Sequence, residues 1–144
     1  MKKSGFTITE MVVTLSILAI LLAIGAPNFK EFISNGNMVS NTNGMIGAFN
    51  YARMEAIKRG TTVHLGQLDG SWASGVVVWA DSDGDVTRDA GEELRLWPAF
   101  DSESTVTSGR TAFTFRASGE VDNDGQLTIC DNRTGEQGMK YFLF

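Results

Sequence analysis

Gly5-Phe6-Thr7-Ile8-Thr9-Glu10 sets a glycine–phenylalanine peptide bond and a lone carboxylate within six positions, behind Lys2-Lys3 and ahead of an uncharged run from Met11 to Phe29. These residue types support one piece of acid–base chemistry. If the chain is cut between Gly5 and Phe6, Phe6 gains a free α-amino group, and Glu10 stands about one helical turn from it. In a bundle of helices offset along their axes, the carboxylate of one chain can then pair with the amino terminus of its neighbour. Neither charge is left alone in an apolar medium, where an unpaired charge is expensive. The N-terminus of a helix also favours a negative side chain. Without such a role the acid is hard to explain, because a carboxylate at the bilayer centre costs about 2.5–3.5 kcal/mol and less toward the interface.

The element that must carry this pair is the apolar run itself. Its 19 residues would span about 28 Å as a helix, close to the ~30 Å hydrocarbon core. Lysines in front of it place Met1 on the cytoplasmic side and the rest of the chain beyond the membrane. An ordinary secretory signal peptide, with Ala23-Ile24-Gly25 as its cleavage site, competes with this reading, but Glu10 comes too early in the apolar region for it. So do a plain single-pass anchor and a buried core helix, the latter opposed by the absence of a polar face. Sequencing the mature N-terminus separates them: Phe6, Ala26 or Met1.

A second group of carboxylates lies in Asp81-Ser82-Asp83-Gly84-Asp85-Val86-Thr87-Arg88-Asp89-Ala90-Gly91-Glu92. Oxygen-bearing side chains at positions 1, 3, 5, 9 and 12 follow the loop that wraps a calcium ion, with Asp81, Asp83, Asp85 and Glu92 as the candidate ligands. Val86 stands where that loop wants glycine, and the flanks read as strands. The competing reading is an acidic, solvated connection within a hairpin. His64, between Val63 and Leu65, has no second histidine or cysteine beside it and reads as a strand residue. Trp72, Trp79 and Trp97 read as core or hairpin packing rather than a carbohydrate surface. Cys130 is the only cysteine, so no intramolecular disulfide forms, and its place at the end of Leu127-Thr128-Ile129-Cys130 fits a small buried hydrophobe. Zinc spacings, phosphate loops and nucleophile elbows are absent, and nothing points to an enzyme.

The 144 residues suffice for one modest domain plus the helix. The net charge of −5 conceals an asymmetry: residues 1–60 sum to +3 and residues 61–144 to −8. An acidic domain is poorly suited to a phosphate backbone, which argues against DNA as a partner. Gly25 and Pro27 predict a kink where the helix leaves the membrane, since proline lacks the amide hydrogen and crowds the carbonyl of Ala23. Beyond it the helical pattern resumes. Phe32, Val39 and Ile46 recur at seven-residue spacing, Met45, Phe49, Ala52 and Ala56 fall on an overlapping face, and Ser34, Asn35, Asn37, Asn41, Asn43 and Asn50 suit the wet side. Lys58 and Arg59, a Glu55–Arg59 pair and Gly60 mark the end. Short β-like runs follow at Thr61–Leu68, Gly75–Ala80, Glu93–Trp97, Thr111–Ala117, Gly125–Cys130 and Met139–Phe144, with turns at Asp69-Gly70 and Asn123-Asp124-Gly125. Phe113 and Phe115 alternate with polar neighbours and should pack on Phe49, Ala52 and Ala56. The organisation is thus α+β: residues 1–5 a leader, 6–29 the hydrophobic transmembrane or filament-core helix, 30–60 the amphipathic half of that helix, and 61–144 an antiparallel β-domain.

Gly5-Phe6-Thr7-Ile8-Thr9-Glu10 and the apolar run with Pro27 resemble the class III signal and N-terminal helix of type IV pilins and type II secretion pseudopilins. That resemblance implies cleavage by a prepilin peptidase between Gly5 and Phe6, N-methylation of Phe6, and subunit docking through Phe6 and Glu10. Ala52 to Gly60, Val63, Trp72, Val77 to Asp81, Asp89 to Glu92 and Cys130 to Gly135 narrow it to the FimT/FimU minor pilins and the related H-type pseudopilins. It implies an inner-membrane precursor with its β-domain in the periplasm, then a structural subunit of a type IV pilus or its initiating tip complex, partnered by other major or minor subunits. The alternative it implies is a minor pseudopilin of a type II secretion system. Relatives often carry a cysteine shortly after the first strand, where this chain has Gly66 or a neighbour. Some bind DNA through an arginine- and glycine-containing tail, whereas this chain stops at Tyr141-Phe142-Leu143-Phe144. No cofactor is required beyond the calcium considered for the aspartate loop.

Overall fold

Thr7 starts and Gly60 stops one helix, α1 (Ile8–Arg59), in a computed structural model that describes residues 5–101, 103–122, 124–131, 133 and 139–143. The chain divides into two compact units at Gly36 and Asn37. In the first, no described side chain is buried, and the apolar residues from Phe6 to Ile33 face outward on every side of the helix. α1 is long and apolar enough there to cross a membrane. It runs through Gly25 and Pro27 without a break. The Asn28 amide donates to the Ile24 carbonyl at 2.8 Å, next to the Ala23 carbonyl that Pro27 leaves without its usual donor.

Among the described residues of the second unit, seven strands follow the helix: β1 (Val63–Leu68), β2 (Ser71–Ala80), β3 (Glu93–Trp97), β4 (Thr105–Ser108), β5 (Ala112–Phe115), β6 (Gln126–Cys130) and β7 (Met139–Leu143). They make two antiparallel sheets, ordered β3-β2-β1-β5 and β4-β6-β7. Asp69-Gly70 turns β1 into β2 with both residues at positive φ, 52° and 76°, the backbone that lets two twisted strands meet across two residues. Gly60 caps α1 as expected, its amide bonded to the Ala56 carbonyl at 2.9 Å. Glu55 is buried at that end and accepts from Arg59 at 2.6 Å and Lys58 at 3.2 Å.

The core lies between α1 and the two sheets. Met38, Met45, Ala48, Phe49, Ala52 and Ala56 meet Val63, Leu65, Val76, Val78, Phe113 and Phe115 from the larger sheet and Val106, Leu127 and Ile129 from the smaller one. Phe49 packs edge-on to Phe113 and Phe115, with ring centroids 5.1 and 6.0 Å apart. This is the contact that the alternation in β5 predicts.

Four expectations need correction. The apolar set Phe32, Val39 and Ile46 is exposed, and the overlapping set through Met45, Phe49, Ala52 and Ala56 is the buried one. A single sheet is expected, and there are two, because β4 (with Val106 its only apolar residue) escapes a search for apolar alternation. β2 starts at Ser71 rather than Gly75, taking in Trp72, whose indole N–H donates to the Arg110 carbonyl at 2.8 Å. Cys130 is half-buried rather than buried. Asn123 of the second expected turn and the terminal Phe144 lie outside the described residues.

Candidate functional site

The N-terminal site is built by the first turn of α1. Gly5, Phe6 and Thr7 precede the helix without regular structure and are exposed, so the Gly5–Phe6 bond lies where a protease could hold it extended. Lys2 and Lys3 lie outside the described residues. Thr7 is the N-cap and Glu10 the third helical residue, and each satisfies the other. The Thr7 amide and hydroxyl donate to Glu10 Oε2 at 2.9 and 2.8 Å, while the Glu10 amide donates to Thr7 Oγ1 at 3.2 Å. This is a reciprocal capping box. It takes up amides that no earlier turn can serve. Thr7-Ile8-Thr9-Glu10 before an apolar run spells that box in the sequence, a local role for the carboxylate beside the intermolecular one. Glu10 Oε1 makes no hydrogen bond among the described residues and stays open to a neighbour. Phe6, Thr9, Glu10, Val13 and Thr14 line a shallow groove beside it.

The aspartate loop is positioned by β2 and β3. Its ends are closed by the Ala80 amide on the Glu92 carbonyl at 3.0 Å and the Asp81 amide on the Thr62 carbonyl at 3.1 Å. Asp81, Asp83 and Asp85 come together, each with a carboxylate oxygen within 4.8 Å of the others. Glu92 does not join them: it accepts from the Ser82 amide at 2.8 Å and the Asp89 amide at 3.2 Å. Val86 takes φ 68°, the left-handed backbone that glycine would supply at that position. Asp85 above all, then slight desolvation, Asp83 and Glu92, hold the exposed Asp89 carboxyl above its ordinary range. A calcium titration followed by thermal melting decides what these carboxylates do. A rise in Tm at millimolar calcium that disappears in Asp83→Asn assigns a cation site, and an unchanged Tm assigns a solvated loop.

Asp81 also reaches inward. Its Oδ1 accepts from the Gly84 amide at 2.7 Å, and its Oδ2 from the Val86 amide at 3.2 Å and against His64 Nε2 at 3.3 Å. Burial alone would push this carboxyl up, but the Gly84 amide, His64 and the Val86 amide outweigh it and hold it below the usual carboxylate range. His64 sits on β1 between Trp79 of β2 and Thr114 of β5, its cross-strand neighbours. The Trp79 ring stacks on it at 5.1 Å, and its Nδ1 lies 3.0 Å from Thr114 Oγ1. Threonine, histidine and aspartate in line have the residue types of a proton relay. Here His64 and Asp81 are 1% and 7% exposed, and the line ties sheet to loop. Trp79 in turn covers Gly66, where an added Cβ would come within 2.9 Å of the indole.

Comparison with known proteins agrees with this architecture. The family described as Type II transport protein GspH matches residues 41–141, and the Prokaryotic N-terminal methylation motif matches residues 1–26. Two crystal forms of the type IV minor pilin FimU from Pseudomonas aeruginosa PAO1 are similar in structure. The P21 form gives a TM-score of 0.60 at 20% identity, over 78% of this chain and 92% of that one. The P65 form gives 0.55 at 20% identity, over 73% and 90%. No curated protein matches the sequence as a relative. What these matches share with the chain is the helix followed by antiparallel sheet.

Proposed function

The chain belongs to the family of GspH, the type II transport proteins, and from that premise we propose that it is a minor pilin built into a type IV pilus or its initiating tip complex. A single observation carries this reading: a helix apolar on every side, with all of that surface exposed, begins two residues after the phenylalanine of a cleavable glycine–phenylalanine bond and carries an acid in its first turn. Such a surface needs lipid first and other apolar helices afterwards. Prepilin peptidase removes residues 1–5, Phe6 is methylated, and the helix leaves the inner membrane for the filament with its β-domain on the periplasmic side. The partners are other pilin-like subunits. The family match favours a second reading in the same architecture, a minor pseudopilin of a type II secretion system. The two part on which filament the chain copurifies with.

Glu10 has two partners to choose between in this scheme, Thr7 of its own chain and the Phe6 amine of a neighbour. Glu10→Ala removes both and is expected to lower incorporation about tenfold, as the loss of roughly 1.4 kcal/mol or more would. Thr7→Val removes the cap hydroxyl but keeps the charge, and incorporation should hold. Filaments carrying Glu10→Ala at the wild-type level would reject the docking role, while equal losses in both variants would assign Glu10 to capping alone. A mature N-terminus other than Phe6 would remove the reading altogether.

A further inference from the structure

At the seam between α1 and the end of β3 lies a partly open cavity of about 150 Å³. Ser40, Asn41 and Gly44 of α1 form one wall, and Trp97, Pro98 and Phe100 the other. A cavity of that size accepts one benzene-sized ring. Its walls are fixed without help from an occupant. The Asn41 amide donates to Asp101 Oδ2 at 2.7 Å and to Ser104 Oγ at 2.9 Å, which ties the helix to the loop after Phe100. The Phe100 amide donates to the Ala73 carbonyl at 3.1 Å. Gly75, at φ 116°, lets the Trp97 carbonyl come so close that an added Cβ would lie 2.4 Å from it. The Trp97 ring stands edge-on to Tyr51, centroids 5.6 Å apart, and carries the Arg95 guanidinium 4.7 Å from its centroid. Gly44 answers no such need of the fold. It sits inside the helix, where a Cβ would meet nothing beyond that helix within 4 Å, and glycine weakens a helix. What it does is leave the cavity open.

We propose that this cavity seats the ring of a tyrosine from another protein chain, with an aspartate or glutamate close to that tyrosine binding Arg95. The proposal does not use the filament reading, and the site lies outside the apolar run on which that reading rests. Size selects a single ring, and Trp97 and Phe100 offer it aromatic walls. Asn41 selects a hydroxyl on the ring. Its Nδ2 is spent on Asp101 and Ser104, and its Oδ1 accepts nothing among the described residues. A phenol gives that oxygen a donor, and a phenylalanine would leave it unmatched. Arg95 selects the carboxylate. Arg88, Arg110, Arg116 and Arg133 of the β-domain each face a carboxylate or carbonyl of their own chain. Arg95 is exposed, and among the described residues its guanidinium meets only the rings of Trp97 and, at 5.5 Å, Tyr51. Stacking uses the face of a guanidinium and leaves its N–H edge for a carboxylate. In a domain rich in acids, an arginine with none of its own is complementary to a partner that brings one. Tyrosine, tryptophan and arginine together are also the residue types on which binding energy concentrates.

The test has two arms, both on the full-length chain. In detergent, saturation-transfer NMR follows para-cresol, the tyrosine ring alone, and para-hydroxyphenylacetate, the ring with a carboxylate. Both should bind saturably at millimolar concentration. Gly44→Leu plugs the cavity from the helix side and should weaken both by about tenfold or more, with a Tm at or above the wild type, since leucine is the better helix former. Ser40→Trp, on the exposed rim, is a second plug should Gly44→Leu disturb the fold. Arg95→Gln should weaken para-hydroxyphenylacetate about tenfold and leave para-cresol within about twofold, because only the first uses the charge. In cells, a benzophenone side chain placed at Ala99 on the rim should capture a protein segment that contains a tyrosine with an Asp or Glu near it. The same group at Thr107, exposed on β4, should not. Fragments that bind the wild type and both plugged variants alike would overturn the assignment. So would capture at Ala99 no greater than at Thr107, or cross-links that map to lipid, glycan or a segment without tyrosine. Each of these results leaves the filament reading standing.

Discussion

Phe113→Ala is expected to bring the β-domain to the edge of unfolding. Phe113 is fully buried on β5, edge-on to Phe49 of α1 and 5.8 Å from the Trp72 ring. It is also the residue that Gly125 is shaped around, since a Cβ there would lie 2.7 Å from its ring. One side chain therefore joins the helix, β5 and β2 of the larger sheet, and the turn into β6. Truncating such a ring costs about 3–5 kcal/mol through lost transfer energy and the cavity left behind. Edge-on aromatic pairing adds about 0.5–1.5 kcal/mol that alanine cannot replace. Set against a total of about 5–15 kcal/mol for a domain of this kind, the loss is decisive. In a thermal melt of the detergent-solubilised chain, Tm should fall by roughly 15 °C or more. Thr107→Ala, on an exposed position of β4, should leave Tm within a degree or two. A small shift for Phe113→Ala would mean that the helix and sheet are held together elsewhere.

The same neighbourhood shows which parts of the fold were legible. Alternation in Thr111–Ala117 identified the apolar face of β5 because a strand buried on one side must place every second residue inward. Helix periodicity did less well, and for a physical reason. α1 is apolar on two sides beyond Gly36, and spacing alone does not separate the exposed Val39 and Ile46 from the buried Met45, Phe49, Ala52 and Ala56. The bulk of Met45 and Phe49, opposite Phe113 and Phe115, decides it. The Thr7–Glu10 box is legible in four consecutive residues, a threonine three positions ahead of a glutamate before an apolar run. The His64–Asp81 pair was not legible at all. It joins residues 17 apart, and nothing local marks a histidine in an apolar strand as bonded. The pairing register of three strands brings it there. Val86 stands where a calcium-wrapping loop wants glycine, and the chain adopts the left-handed backbone there with valine in place. The amides that Asp81 gathers offset that strain.

Asp81→Ala is expected to destabilise the β-domain by about 3 kcal/mol, and Asp81→Asn by less. Alanine leaves His64 Nε2 facing nothing inside the sheet and releases the Gly84 and Val86 amides that shape the loop. Each buried polar group so stranded costs about 1–3 kcal/mol, and a broken buried pair about 3–5 kcal/mol when a charge is left behind. Asparagine keeps an acceptor oxygen of the same shape and gives up the charge. The sign of the pH dependence follows from the depressed carboxyl. In the unfolded chain Asp81 titrates at its ordinary value of 3.8, and in the folded protein below it. Protons are therefore taken up on unfolding as the medium is acidified. The stabilisation is fully present above about pH 4 and is lost as pH falls through the lower, folded value. Urea melts of the wild-type chain between pH 5 and pH 2.5 should show a steeper fall in stability than those of Asp81→Asn, with the two curves converging at the acid end. Parallel curves across that range would mean that the carboxyl is not held by His64 and the loop amides, and that the loop owes its shape to something other than Asp81.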